Sequence, residues 1–600
     1  MKQFLKYVFA TITGIFISTF ILVIVGVGII AGMLASGEDS STVAINDGSV
    51  LVVKLSGNIV EHADDNSINS LLSSKVEDQG LDDIITAIDA ATTAPEIKGI
   101  YIEAGPMITD YSSLKEIRNA LLRFKAGKKW IVSYADAYTQ GAYYVCSAAD
   151  KVWMNPEGMV DIHGLAAQPM YIKDLLSKFG VKMKVIKVGT YKSATETYTE
   201  DHMSDANREQ LTRYINSLWG VITNEVGKSR GISSEAFNTL ADNVVMALPS
   251  ADLIKQKLID KTLYANEVKG EIKKLLKQKD DEDIKQVTCK ALATKTRGEK
   301  AGKSDNKIAV YYAEGTIVQS SEMGMIGDGS SIVSKDMVKD LDKLAKDDDV
   351  KAVVIRINSG GGDSFASEEI WHSVQALKAK KPVVISMSGA AASGAYYLSA
   401  PASWIIAQPT TITGSIGIFG VFPDMTQLFK DKLGLKFDNV KTNKHADLSF
   451  SQQARSFDPE EEAMLQQYVN RGYELFCKRV SDGRKIPMAR VKEIAEGRVW
   501  IATDAIGLKL VDELGGMPEA MKKAAALAKV KDYVAVNYPT PQTLIEQLMK
   551  QVEGNGNNLD EQMRSTLGTF YEPFCIIKSI ENQSPVQARS EFVNLNQMVK

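Results

Sequence analysis

Apolar positions fall into three patterns along this chain. The first is a run without charge from Tyr7 to Ser36, YVFATITGIFISTFILVIVGVGIIAGMLAS. It exceeds the about twenty residues that span a bilayer. A cleaved leader has an apolar core of only about 7–15 residues, so the run predicts an uncleaved signal-anchor over residues 1–37. Ala35, Ser36 and Gly37 leave a cleavage site open. Lys2 and Lys6 precede the run and stay cytoplasmic by the positive-inside rule, which carries everything after Gly37 to the other side. No second run of this length occurs, so one span with a large soluble body is expected.

The other two patterns alternate. Short β-branched runs such as AVVIRI and PVVISM, the latter ending at Met387, read as buried strands. Between them SKDMVKDLDKLAKD and SEEIWHSVQALKAKK carry apolar residues at helical spacing. Strands alternating with helices predict βαβ units and mostly parallel sheets, an α/β fold.

The alternation occurs twice. SVLVVKLSGNIVE from Ser49 resembles KIAVYYAEGTIVQ from Lys307, and IKGIYIEAG near Ile100 resembles VKAVVIRINSG near Val353. KKWIVSYADAYTQGAYYVCSAAD from Lys128 resembles KKPVVISMSGAAASGAYYLSAPA from Lys380, with GAYY at Gly141–Tyr144 and Gly394–Tyr397. This implies two homologous units, residues 45–300 and 305–540. The charged segment from Lys274 to Lys307 reads as a partly helical linker. The tail, residues 541–600, has little sheet pattern and suggests no chemistry.

Composition narrows the function classes. Lys plus Arg number 70 against 74 Asp plus Glu, a balance without the basic footprint that nucleic acid demands. Cys146, Cys289, Cys477 and Cys575 form no CxxC pair, against a zinc ribbon or redox motif. Only five His occur: His62, His163, His202, His372 and His445. A catalytic scheme must therefore manage with few imidazoles or none.

Candidate chemistry lies in small-residue segments. In the second unit AVVIRI runs into Asn358–Ser364, NSGGGDS. Three glycines allow positive φ and close approach of a ligand, or simply a tight turn. Ser393 stands at a strand-to-helix turn in AASGAYY, where a hydroxyl can be a nucleophile or a helix cap. TTITGSIGIFG carries Ser415 in a third loop. A nucleophilic Ser needs a base, and none of these motifs holds a His. A buried Lys, whose neutral form is favoured by desolvation, is the other route. Lys192, in Gly-Thr-Tyr-Lys-Ser-Ala-Thr of the first unit, sits among small uncharged neighbours.

Aligning the units gives that lysine weight. Gln140 falls opposite Ser393, Glu103–Met107 opposite the entry to the glycine run, and Ala446 opposite Lys192. Each unit lacks what the other carries, which points to one composite site; divergence by chance is the alternative.

GTYKSA at Gly189–Ala194, INSGGG, AASGAYY at Ala391–Tyr397 and TGSIGIFG at Thr413–Gly420 together resemble the signal peptide peptidase A (protease IV) family in its long, duplicated form. The likeness extends over the anchor, both repeats and the linker. It implies two tandem Clp-protease/crotonase-like repeats behind a single N-terminal transmembrane helix, and a serine endopeptidase with a Ser–Lys dyad split between them. Carried over, Ser393 is the nucleophile and Lys192 the general base. Ser415 orients the ammonium, and Gly361 and Gly394 supply oxyanion N–H groups. The family commonly has Asn-Ser-Pro-Gly-Gly where this chain has Gly360 in place of Pro, which loosens the loop. The resemblance implies no metal or organic cofactor, a homotetramer at the inner membrane with its body in the periplasm, and substrates that are remnant signal peptides and other apolar peptides. A crotonase-like acyl-CoA enzyme and a non-catalytic membrane scaffold stay open. Labelling of Ser393 by a fluorophosphonate separates the first alternative, and an unchanged phenotype in Ser393→Ala the second.

Overall fold

The computed structural model describes residues 45–63, 78–301, 303–320, 330–448, 454–539 and 586–590, with a few positions before residue 22. The run from Tyr7 to Ser36 lies almost wholly outside these residues. No helix among the described residues is long and apolar enough to cross a membrane. Of the tail, only 586–590 is described. The chain divides into a unit Met1–Asp47 and a unit Gly48–Lys600, and the second of these contains both repeats.

Each half of that unit builds a mainly parallel sheet. In the first half Ser49–Val60, Ile97–Ile108, Trp130–Tyr138 and Lys151–Val160 pair in that order, all parallel. In the second half Lys307–Glu314, Val350–Ser359 and Val383–Ala392 do the same. Trp404–Ala407 and Ile412–Gly414 then pair with successive stretches of Val383–Ala392. Parallel neighbours need crossovers, and the helices Leu81–Thr93 and Tyr111–Ala126 supply them as Ser334–Lys346 and Ser364–Lys378 do in the second half. With helices on the sheet faces both sides of a strand are covered, which is why these strands read as unbroken apolar runs. Val353, Val354 and Ile355 are all 0% exposed.

The halves also match at their sheet edges. Gln286–Thr288 pairs with Ser49–Val60 as Val534–Tyr538 pairs with Lys307–Glu314. The segment expected to be a linker thus contributes an edge strand to the first half, and its helix Cys289–Lys300 comes directly after. Its charged residues mark an exposed edge rather than a free connection.

A third sheet belongs to both halves. Its order is Ser331–Val333, Thr316–Val318, Gly361–Asp363, Val586–Arg589, Phe419–Asp424 and Lys182–Lys187. Lys182–Lys187 of the first half runs antiparallel to Phe419–Asp424 of the second, with Phe419 opposite Lys187 and Asp424 opposite Lys182. Backbone pairing thereby docks the chain that leads to Lys192 onto the second half.

A buried ion cluster closes the seam between the halves. Arg356, on Val350–Ser359, donates to Glu61 Oε2 at 2.7 Å and pairs with Glu116 Oε1 at 2.7 Å, both carboxylates coming from the first half. Its guanidinium also reaches Ser386 and Ser388 Oγ at 2.9 and 3.0 Å. Burial raises the Glu61 carboxyl above its usual range although Arg356 opposes it. Glu314 beside it is pushed up to about 8 by burial and by the charges of Glu61 and Asp110.

Candidate active site

The strand Val383–Ala392 runs past Met387, where its β-branched pattern stops, because Ser388–Ala392 are small enough to stay wholly buried between neighbours. It delivers Ser393 to the first turn of helix Gly394–Ser399. Ser393 is 0% exposed and has φ 56° and ψ −115°, a conformation costly for any residue with a Cβ. Its N–H donates to Gly414 O at 2.8 Å and its carbonyl accepts from Tyr397 N at 2.8 Å, so the turn is held on both sides. The hydroxyl makes no capping hydrogen bond to the helix and is left for another partner.

That partner comes from the first half. After Lys182–Lys187 the chain turns at Gly189, φ 102°, and the Tyr191 N–H donates to Glu496 O at 3.0 Å. Gln210, on helix Asp205–Arg230, donates to Tyr191 O at 3.1 Å and to Ser193 Oγ at 3.0 Å, while its Oε1 accepts from Val499 N at 3.2 Å. Arg498 stacks over the Tyr191 ring at 4.6 Å. Between these anchors Lys192 extends inward and is 1% exposed. Its Nζ donates to Ser393 Oγ at 2.8 Å, to Ser415 Oγ at 3.0 Å and to Ser415 O at 3.2 Å. Ser415 is placed by its own positive φ of 49° and by its N–H on Arg498 O at 2.7 Å. Lys192, Ser393 and Ser415, singled out from three separate sequence segments, thus meet in one buried triangle.

The glycine loop Gly360–Gly362 lies against the turn at Ser393. A Cβ on Gly361, φ 95°, would collide with the backbone of Ala392 and Gly394, the residues on either side of Ser393. The Gly361 N–H, however, donates to Ser359 Oγ at 3.1 Å. It is engaged within its own loop, which departs from the oxyanion role expected of it. The Gly362 nitrogen lies 3.2 Å from where a Cβ on Gly394 would stand, so the glycine beside it faces the turn. The Gly394 nitrogen stands at the start of the helix, next to Ser393, as expected from AASGAYY.

Two glycines border Lys192: Gly417 of TGSIGIFG, and Gly497, which carries no signal in the sequence. A Cβ on Gly497, φ 77°, would stand 2.6 Å from Lys192 Cβ, and one on Gly417 would stand 3.4 Å from Lys192 Cδ. The lysine stem passes beside both, and the lack of a side chain at Gly497 leaves it room, while Gly417 packs against the backbone of Gly497.

The matching place in the first half is sealed. Gln140 stands at the start of helix Gln140–Cys146 and is 4% exposed. Its amide donates to Tyr111 Oη at 3.1 Å and Gly164 O at 3.0 Å, and accepts from the N–H groups of His163 and Gly164 at 3.1 and 3.0 Å. With all its polar capacity used, this residue locks the loop that corresponds to the Ser415 loop. The strand Ile97–Ile108 continues through Glu103–Met107, with a register shift against Leu55–Gly57, so no glycine loop forms there.

Comparison with known proteins agrees with the repeat. Residues 123–279 and 375–531 each match peptidase family S49, and residues 305–407 match Clp protease. "Protease 4" of Salmonella typhi is 35% identical over 89% of this chain and 86% of its own length. "Protease 4" of Haemophilus influenzae is 32% identical over 89% and 88%. "Serine protease SPPA, chloroplastic" of Arabidopsis thaliana is 27% identical over 87% and 76%.

Proposed function

Because the chain belongs to peptidase family S49 and is a serine protease, we propose that Ser393 is its nucleophile and Lys192 its general base. The observation that carries this reading is the 2.8 Å approach of a buried Lys192 Nζ to a buried Ser393 Oγ across the two halves. Only the neutral amine can take the serine proton, and removal from water disfavours the charged form of a lysine.

Lys192 accepts the proton as Ser393 Oγ attacks the peptide carbonyl carbon. The Ser415 hydroxyl and carbonyl steady the resulting ammonium. The oxyanion is met by the N–H of Gly394 and by that of Gly362 in place of Gly361, a donor of this kind contributing roughly 3–4 kcal/mol. Lys192 then gives its proton to the leaving amine, and water, deprotonated in turn by Lys192, hydrolyses the ester. The strands that flank Ser393 offer backbone pairing, which suits an extended peptide. Remnant signal peptides fit this description. The Tyr7–Ser36 run would hold the body at the bilayer on the periplasmic side, where such peptides are left after preprotein processing, and a homotetramer would gather several sites there.

The test is hydrolysis of a synthetic apolar signal peptide by the full chain in detergent, with a fluorophosphonate as active-site label. The reading expects turnover and labelling at Ser393, both absent from Ser393→Ala. A chain that labels at another serine, or keeps its turnover in Ser393→Ala, refutes it.

A further inference from the structure

Arg498 reaches both ends of Lys192. On the backbone side it grips the residue before the lysine. Its guanidinium carbon stands 4.6 Å from the centroid of the Tyr191 ring and 4.6 Å from that of Trp500. The Trp500 ring is fixed in turn, its Nε1 donating to Ile494 O at 2.9 Å. Arg498 Nη2 donates to Glu209 Oε1 at 2.7 Å, and Tyr191 Oη donates to Glu209 Oε2 at 3.0 Å. One carboxylate of helix Asp205–Arg230 thus ties the arginine to the tyrosine it stacks on. Arg498 Nε is buried and makes no hydrogen bond among the described residues, so the rings and Glu209 set the plane of the guanidinium.

On the amine side Arg498 acts through its backbone. Its carbonyl accepts the Ser415 N–H at 2.7 Å, and Ser415 Oγ and O accept from Lys192 Nζ. The next residue, Val499, stands opposite Gly414 in the pairing of Val499–Ile501 with Ile412–Gly414, and Gly414 O accepts the Ser393 N–H. A single residue of the second half therefore holds the lysine's chain neighbour with its side chain and the cradle of the lysine's amine with its carbonyl.

The first half shows that the bend at this place does not need an arginine. Asp260 accepts from Val152 N and Arg230 as Asp512 accepts from Ile405 N and Arg484. Counted back from these aspartates without a gap, Lys257 with φ 63° matches Lys509 with φ 62°, and Val244 with φ 52° matches Glu496 with φ 51°. The residues after that bend are Val245 and Met246 where the second half has Gly497 and Arg498. The half without a nucleophile has lost the glycine and the arginine and kept the bend. Beyond it the first half makes a 3-10 turn, Val245–Ala247, in place of the strand that runs beside the Ser415 loop.

We propose that Arg498 is a positioning residue for the reaction, clamping Lys192 through Tyr191 while its carbonyl sets Ser415. The inference rests on the Ser393–Lys192 chemistry proposed above. The ammonium formed in the reaction has to find Ser415 where the neutral amine left it, and a clamp that fixes both spares that reorganisation. The planar guanidinium suits the task because it can lie on a ring and pair with a carboxylate at once, which a lysine ammonium cannot.

Steady-state hydrolysis of a synthetic apolar peptide by the full chain, with the rate of fluorophosphonate labelling at Ser393, tests the clamp. Arg498→Met, which inserts the first half's residue, should lower kcat by about ten- to a hundredfold, the cost of misplacing a reacting group. KM should stay within about twofold, since binding is not what is lost, and labelling should slow in step with kcat. Arg498→Lys should recover little of the loss. Glu209→Gln changes a half-exposed carboxylate that the fold does not depend on, and should lower kcat in the same direction by about two- to fivefold. Tyr191→Phe keeps the ring and should rescue most of the activity that Tyr191→Ala loses. Arg213→Met is the control for docking. It breaks the pair of Arg213 with Asp504, made by the same helix to the same half, and should leave kcat unchanged. An equal fall in Arg213→Met and Arg498→Met would overturn the proposal in favour of general docking of the halves. Wild-type kcat in Arg498→Met or Arg498→Lys would also overturn it. If Ser393→Ala is inactive beside a fully active Arg498→Met, the clamp alone falls; turnover retained in Ser393→Ala removes the dyad reading as well.

Discussion

Lys192 and Ser393 are separated by 201 residues in sequence and by 2.8 Å in space. The pairing depends on docking of the first half onto the second, since Lys192 is carried by a loop after Lys182–Lys187 and Ser393 by a turn after Val383–Ala392. The site is therefore a property of the assembled pair of repeats.

Removing either member should disable it. Ser393→Ala and Lys192→Ala are each expected to lower peptide hydrolysis by at least about a thousandfold, with the double variant no worse than the single ones because the two act as a unit. Steady-state rates with circular dichroism as a fold control check this. Activity within tenfold of wild type in either single variant would contradict the dyad.

Gly497→Ala tests the channel around the lysine. A Cβ there overlaps Lys192 at positive φ, so the amine must shift, and displacement of a reacting group by an ångström costs about a hundredfold. The loss should appear in kcat more than in KM. Gly270→Ala, on a helix where a Cβ meets nothing within 4 Å, is the control and should leave activity unchanged.

Arg356→Ala should weaken the seam. It strands Glu61 and Glu116 as buried carboxylates, and breaking a buried pair from one side costs about 3–5 kcal/mol. Urea unfolding would show it. Changing both carboxylates to Gln in the same chain should recover part of the loss.

Glu314 makes stability depend on pH. Burial, with the charges of Glu61 and Asp110, pushes its carboxyl up to about 8 from an ordinary 4.5. Between those values the native chain holds a proton that the unfolded chain has released, so stability falls as pH rises through this window. Glu314→Gln removes that loss. Its stability relative to wild type should be flat below about pH 4.5 and climb toward pH 8, by up to about 1.4 kcal/mol per pH unit. Denaturation midpoints at a series of pH values would check it; a gain that shrinks with rising pH would contradict the assignment.

The proposed orientation, with Lys2 and Lys6 on the inner side, can be checked by proteolysis. Protease added to spheroplasts should digest the body and spare a short N-terminal fragment. A body protected until the inner membrane is broken would mean the opposite orientation.

Much of the molecule is legible in one dimension. The α/β alternation comes from short apolar runs between amphipathic ones, and the repeat from GAYY at Gly141 and Gly394 with its flanking strands. Complementary absences, Gln140 against Ser393 and Ala446 against Lys192, single out a serine and a lysine among many, because residue identity survives in the sequence even when distance does not. The rest depends on non-local backbone pairing. The direction of a single N–H in Gly360–Gly362 is set by the Ser359 hydroxyl and by the strand alongside, so the motif points to Gly361 where the geometry favours Gly362. The room that Gly497 leaves for Lys192 matters only once a residue of the other repeat passes beside it. Val586–Arg589 has no pattern that marks it as a strand. It is ordered by hydrogen bonds from two edges distant in sequence, which only the folded chain brings to either side of it.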